Sequence, residues 1–156
     1  MPTDWRRDQL AAAERGEHPL VLAKMRSGYA VLGLNQFLPG YCLLFASPKA
    51  GTLTELDIRQ RNEFLLDMSL LGEAIEKACN PRRVNYSILG NADPLLHAHV
   101  FPRYEWEADQ YKNGPVWKYP DSIFADGKND YSESSHGELK QRISYELEML
   151  MKMSYN

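Results

Sequence analysis

The sequence predicts an α+β fold: a mostly antiparallel five-stranded sheet with one long central helix and flanking N- and C-terminal helices. Three observations carry this. The apolar, β-compatible runs PLVLAKM, YAVLGLN and YCLLFASP are punctuated by the turn pairs Ser27-Gly28 and Pro39-Gly40. The period then changes, because from Asp57 to Cys79 the residues Ile58, Leu65, Met68, Leu71, Ile75 and Ala78 recur at helical spacing, with Arg59, Glu63, Asp67, Glu73 and Lys77 on other faces. After the break at Asn80 to Arg82, strand composition returns in VNYSILG and LLHAHVF around the polar link GNADP, which suggests two adjacent antiparallel strands. Strands, helix, strands and helix in that order imply α+β.

The two ends follow from caps and breakers. The first fifteen or so residues read as a short helix, a docking arm with Thr3 as N-cap, Ala11 to Ala13 as helix formers and Gly16 as the stop. The last helix is expected to begin at Ser135, with Glu138 completing a capping box and Leu139, Ile143, Leu147 and Leu150 on one stripe. Met149, Met151 and Met153 are expected to help a hydrophobic seam there. Between them, Arg103 to Ser134 is rich in aromatic, Gly, Pro and Asp residues without sustained periodicity, and predicts an ordered but irregular excursion. The expected organisation is one domain over residues 1–156, with a core at about 18–104, a helical arm at 1–17, and the irregular segment plus last helix at 105–156.

Composition excludes several functions. A chain of 156 residues, 44% hydrophobic and 25% charged, supports one core. A formal charge of −3 and a pI near 5.8 give no broad basic surface, so no nucleic-acid duplex partner is expected, whereas a small phosphorylated ligand needs only local donors. Cys42 and Cys79 lack CxxC spacing, and MPTDWRRDQL is charged where a secretory leader would be apolar; a cytoplasmic protein with free thiols is expected. No apolar run approaches a membrane span, so no membrane partner is expected. The pairs Arg6-Arg7 and Arg82-Arg83 read as solvated faces, and His18 and His136, near segment ends, as solvated or capping groups.

The stretch LLHAHVFPRY holds half of the chain's four histidines, ahead of a proline expected to end the strand. In a strand His97 and His99 share one face, with Cα atoms about 6 to 7 Å apart. Leu95 joins them, while Leu96, Ala98 and Val100 form the apolar reverse. Three chemistries remain open on the residues alone. A metal site would need further donors, for which only Asp93, His136 or remote carboxylates are at hand. Both could be ordinary histidines. Or a neutral imidazole, its Nδ1–H held by a backbone carbonyl, presents Nε2 to an electrophile while its neighbour donates to the electrophile's oxygens.

LLHAHVFPRY resembles the HxHxH signature of the histidine triad (HIT) superfamily, which commonly leads into an apolar-Pro-Arg sequence. Upstream, NQFLPGYCLLFASPKAGTLTEL is similar to the family's Pro-Gly, apolar strand and Pro-Lys loop ahead of the long helix, so the resemblance covers about Tyr29 to Arg103. LGNADPLLHAHVFPRY is also similar to a bacterial HIT-like group described as diadenosine polyphosphate hydrolases. The resemblance implies a HIT-like fold, His97 as the nucleophilic middle histidine and His99 as the last. The first falls on Leu95, a departure, so that imidazole is absent or replaced. Asn91 is the local candidate to donate to a phosphate oxygen, in a link shorter than the family's Gly-rich loop. Asn35 falls where relatives hold ribose hydroxyls, with a turn-forming role as its alternative.

The implied chemistry is attack by His97 Nε2 on the α-phosphorus of a nucleotide, giving a nucleotidyl-histidine that water or another acceptor resolves. His99, Asn91 and backbone amides would steady the charge on the nonbridging oxygens. The route demands no cofactor and no metal. Arg103 could meet a phosphate, with an ion pair as its alternative, and Trp117 could close over a base or simply pack on its own sheet. Relatives are commonly homodimers, which would here use the long helix and the strand after it. The expected function is hydrolysis of, or nucleotidyl transfer from, dinucleoside polyphosphates or nucleoside phosphoramidates. The rivals are a nucleotide-binding module without turnover, suggested by Leu95, and a metal-dependent hydrolase.

Overall fold

The computed structural model describes residues 4–155; Thr3, expected to cap the first helix, lies outside them. The expected N-terminal helix is two pieces. A 3-10 turn spans Trp5–Arg7 under Asp4, and α1 (Gln9–Glu14) begins afresh at Asp8, whose extended backbone interrupts the helix while its carboxylate accepts from Ala11 N.

Strands β1 (Val21–Lys24), β2 (Gly28–Leu32), β3 (Cys42–Ala46), β4 (Arg83–Ser87) and β5 (His97–Arg103) form one sheet in the order β1-β2-β3-β5-β4. All neighbours are antiparallel. The last two strands are adjacent, as expected, and β5 lies between β3 and β4 with Phe45 opposite His97 and Leu43 opposite His99. Pro102 does not end the strand as expected. Pairing with β3 stops at Val100, so the proline falls where one flank of β5 has no neighbour needing its N–H.

Helix α2 (Ile58–Cys79) has the reciprocal cap of Asp57 and Gln60 and stops at Asn80, which adopts a left-handed φ of 49°. Its buried stripe is Phe64, Leu71, Ala74 and Ile75, turned from the expected one, and Ile58 and Leu65 face outward. Asp67, expected on a polar face, is fully buried and accepts from Ser27 N and Tyr155 Oη. Helix and sheet approach so closely at Gly72 that a Cβ there would lie 1.9 Å from Tyr86 Oη.

The irregular excursion contains two single-turn helices, α3 (Asp109–Lys112) and α4 (Ser122–Ala125). Helix α5 (Glu133–Ser154) starts earlier than expected, capped by Ser132, and Ser135 supplies the N–H that this cap accepts. Ile143, Leu147 and Leu150 are buried on one stripe, whereas Met149 and Met153 are exposed: steps of two on a helix do not share a face.

The sheet thus has two different faces. Helices α2 and α5 cover Leu44, Leu96, Ala98 and Val100 on one. The other carries Tyr29, Val31, Leu43, Phe45 and Leu95 beneath Leu10 and Ala13 of α1. Further along that face Leu38, Phe101, Val116 and Tyr119 form a third cluster with the excursion. The histidines of β5 lie on the second face, between the N-terminal arm and the excursion.

Candidate functional site

Strand alternation sends His97 and His99 to the face opposite Leu96, Ala98 and Val100, with ring centroids 4.9 Å apart. His97 Nδ1 lies 2.6 Å from the carbonyl oxygen of Leu95. A carbonyl only accepts, so Nδ1 carries the proton and Nε2 keeps its lone pair. The acceptor is a backbone carbonyl, so the lack of an imidazole at position 95 does not disturb the bond. The ring is buried and stacks on Phe45 at 5.8 Å.

His99 is held the opposite way round. Its Nδ1 is 2.7 Å from Tyr41 Oη, the hydroxyl's one acceptor among the described residues. Burial, reinforced by Cys42, raises the Tyr41 phenol well above its ordinary value, so it stays protonated and donates. Burial, and then the proximity of His97, bring His99 down to about 4, so it is neutral near pH 7. With Nδ1 accepting, Nε2 carries the hydrogen. One imidazole therefore offers a lone pair and its neighbour an N–H. Phe101 stacks along His99 at 5.9 Å and Trp117 meets its edge at 5.4 Å while remaining half exposed.

Two cavities open at His97. One, of about 520 Å³, lies along Gly51 to Glu55 and the link residues Leu89, Gly90 and Pro94. The other, of about 320 Å³, is bounded by Phe45, Lys49 and Asp93 and by Arg6, Arg7 and Asp8 of the N-terminal arm. Arg6 and Arg7, read as a solvated face, are exposed, but to this cavity.

The remaining sequence candidates do not join this pair. Asn91 is exposed in the link and lines neither cavity. Asn35 donates from Nδ2 to Ile123 O at 3.2 Å and accepts from Phe37 N at 3.0 Å, the turn-forming alternative. Arg103 is buried, and every guanidinium nitrogen is engaged: Nε and Nη2 with Glu107, Nη1 with Asn85 Oδ1 and Gly114 O, and Nη2 again with Tyr111 O. It ties the excursion to β4 and β5 and has no donor left for a phosphate. His18, expected solvated or capping, is buried and bonded to Gln9 Oε1 and Leu20 N, while His136 Nδ1 accepts from Ser132 N at the start of α5. Among the described residues no three His, Cys, Asp or Glu side chains cluster to hold a metal ion.

Tyr41 was not legible as a site residue. Its alternation with Leu43 and Phe45 gives its face, but its partner depends on the register between β3 and β5, which sequence spacing does not specify.

No family model and no curated protein sequence matches the chain. Solved structures do. A histidine triad protein from Sinorhizobium meliloti 1021 has a TM-score of 0.69 at 20% identity, over 93% of this chain and 96% of its own. One from Marinobacter aquaeolei VT8 scores 0.68 at 26% identity, over 83% and 89%. A hypothetical histidine triad nucleotide-binding protein from Sulfolobus tokodaii strain7 scores 0.69 at 16% identity, over 94% and 97%. With its five-stranded antiparallel sheet and the long helix packed on one face of it, the chain has the fold of these histidine triad proteins.

Proposed function

We propose that the protein is a hydrolase or nucleotidyl transferase acting at the α-phosphorus of dinucleoside polyphosphates or nucleoside phosphoramidates, with His97 as nucleophile. The observation that carries this is the complementary tautomer pair: Leu95 O secures Nδ1–H of His97, and Tyr41 makes Nδ1 of His99 an acceptor. His97 Nε2 then donates its pair to phosphorus as the bond to the leaving oxygen or nitrogen breaks, and the leaving group keeps that pair and takes a proton from solvent. His99 Nε2–H hydrogen-bonds a nonbridging oxygen as charge builds there. Water or another hydroxyl acceptor then attacks that phosphorus and gives its proton to solvent as the P–N bond breaks; the bonding pair returns to Nε2, which restores neutral His97 and releases the nucleoside monophosphate or its ester. The Sulfolobus relative's description as nucleotide-binding supports the ligand class.

Brief incubation with an α-phosphate-labelled dinucleoside polyphosphate, quenching, and mapping of an acid-labile, base-stable adduct tests this reading. Label on His97, absent from His97→Ala, supports it. Leu95 in place of a histidine favours a second reading, a nucleotide-binding module without turnover. Saturable nucleotide binding with neither label nor product would establish that one instead.

The same reading includes a homodimer joined at α2 and β4. β4 is an edge strand, and Ile58, Leu65, Leu66, Tyr86 and Leu89 are exposed apolar side chains on α2, on β4 and just beyond it. Light scattering tests it: a dimeric mass that Leu66→Arg converts to a monomer is the expected result, and a monomeric wild type at micromolar concentration would refute it.

A further inference from the structure

We infer that the N-terminal arm brings Arg6 and Arg7 together with Lys49 into a cationic subsite beside His97, which receives the phosphate chain of the leaving group and selects polyphosphorylated substrates. This rests on the reading of His97 as nucleophile.

The arm is docked, not trailing. Leu10 and Ala13 are buried against Tyr29, Val31, Leu43 and Phe45 on the histidine face. Behind them Gln9 Oε1 bonds His18 Nε2 at 2.9 Å, and Trp5 packs on the His18 ring at 4.4 Å. The 3-10 turn held by Asp4 therefore presents its two arginines from a fixed base.

The cavity they enter is lined by three cations, Arg6, Arg7 and Lys49, and two carboxylates, Asp8 and Asp93. Asp8 is already committed, since it accepts from Ala11 N at 3.1 Å as the cap of α1. Arg6 is braced over the Trp5 ring at 4.8 Å and pairs loosely with Asp4 at 3.6 Å. Arg7 and Lys49 have no ion-pair or hydrogen-bond partner for their side-chain nitrogens among the described residues, so neither must give up a contact to bind an anion. At about 320 Å³ the cavity sits at the lower end of ligand pockets, suited to a phosphate chain. Because this cavity opens at His97, a phosphate chain extending into it from a phosphorus seated at the ring would meet Arg6, Arg7 and Lys49 in its walls. A phosphoramidate's leaving amine carries no phosphate chain for Arg6, Arg7 and Lys49 to hold.

Inorganic tripolyphosphate titrated calorimetrically into the full chain tests this, with His97→Ala retaining the subsite and Arg15→Ala as a control on the same arm. Wild type, His97→Ala and Arg15→Ala should bind alike, with affinity falling as salt rises. Arg7→Ala/Lys49→Ala should bind at least tenfold more weakly. Among substrates, that double variant should lose at least tenfold more kcat/KM on a dinucleoside polyphosphate than on a nucleoside phosphoramidate. No tripolyphosphate binding by wild type, or binding by the double variant within twofold of it, overturns the proposal. Tripolyphosphate binding without label on His97 would sink the enzymatic reading and leave the subsite standing; label without such binding would do the reverse.

Discussion

Tyr41 Oη donates to His99 Nδ1 over 2.7 Å and so leaves Nε2 as the nitrogen of that ring that carries the hydrogen. The tyrosine enters just ahead of β3, stacks on Phe101 at 4.1 Å, and is fixed by that packing as well as by the hydrogen bond.

Tyr41→Phe keeps the stack and deletes the donor. A neutral hydrogen bond contributes about 1 kcal/mol, so kcat should fall roughly fivefold. The imidazole ¹⁵N shifts of His99 should also change from one tautomer to a mixture. An unchanged ¹⁵N spectrum in the variant would remove Tyr41 from this role.

His99→Ala should slow turnover by about 3 to 4 kcal/mol in the barrier, the usual effect of one well-aimed donor, while label still forms on His97. Leu95→Ala provides the sharper contrast. It removes a buried side chain at a cost of about 2 to 3 kcal/mol in stability but leaves the carbonyl that orients His97. Labelling of His97 should persist in that variant below its melting temperature; its loss would mean that the side chain, not the carbonyl, sets the ring.

Stability should depend on pH through two histidines. His18 and His99 sit at about 4 instead of 6.5, with burial the main cause in both and His97 adding to it at His99. Between about 6.5 and 4 the unfolded chain therefore binds more protons than the folded one, and stability falls as pH falls through that window. Urea midpoints from pH 7.5 to 4 should decline, and His18→Gln should remove part of the slope. An identical slope in that variant would acquit His18.

The Arg103–Glu107 pair contributes to the architecture. Glu107 accepts from Arg103, from Tyr104 N at 2.6 Å and from Tyr119 Oη at 2.6 Å, and these bonds outweigh burial to hold its carboxyl below the ordinary value. Arg103→Met leaves a buried carboxylate unpaired and should cost about 3 to 5 kcal/mol. The excursion should loosen first, so hydrogen exchange over residues 104–120 should accelerate more than over α2. Uniform acceleration would show that the pair does not act locally.

The strands, the long helix and the shared face of His97 and His99 were legible because period two and helical spacing leave few alternatives for runs such as LLHAHVF. Which side of α2 is buried was not: Ile58 and Leu65 are apolar yet exposed, and only the packing of Phe64 and Leu71 on the sheet and α5 distinguishes the stripes. Arg103 showed charge but not its partners, which are Asn85 on β4 and Glu107, Tyr111 and Gly114 in the excursion. The arm could be read as a helix, but nothing in TDWRRDQL says which face of the sheet it will cover.

The brace on His97 has a consequence for recognising proteins of this kind. Every residue type offers the same peptide oxygen, so the position two residues ahead of the first histidine is chemically free to vary once the backbone holds its shape. A search pattern demanding an imidazole there would reject chains whose reacting group is equally well aligned, and a filter written on the turn of the backbone would retain them.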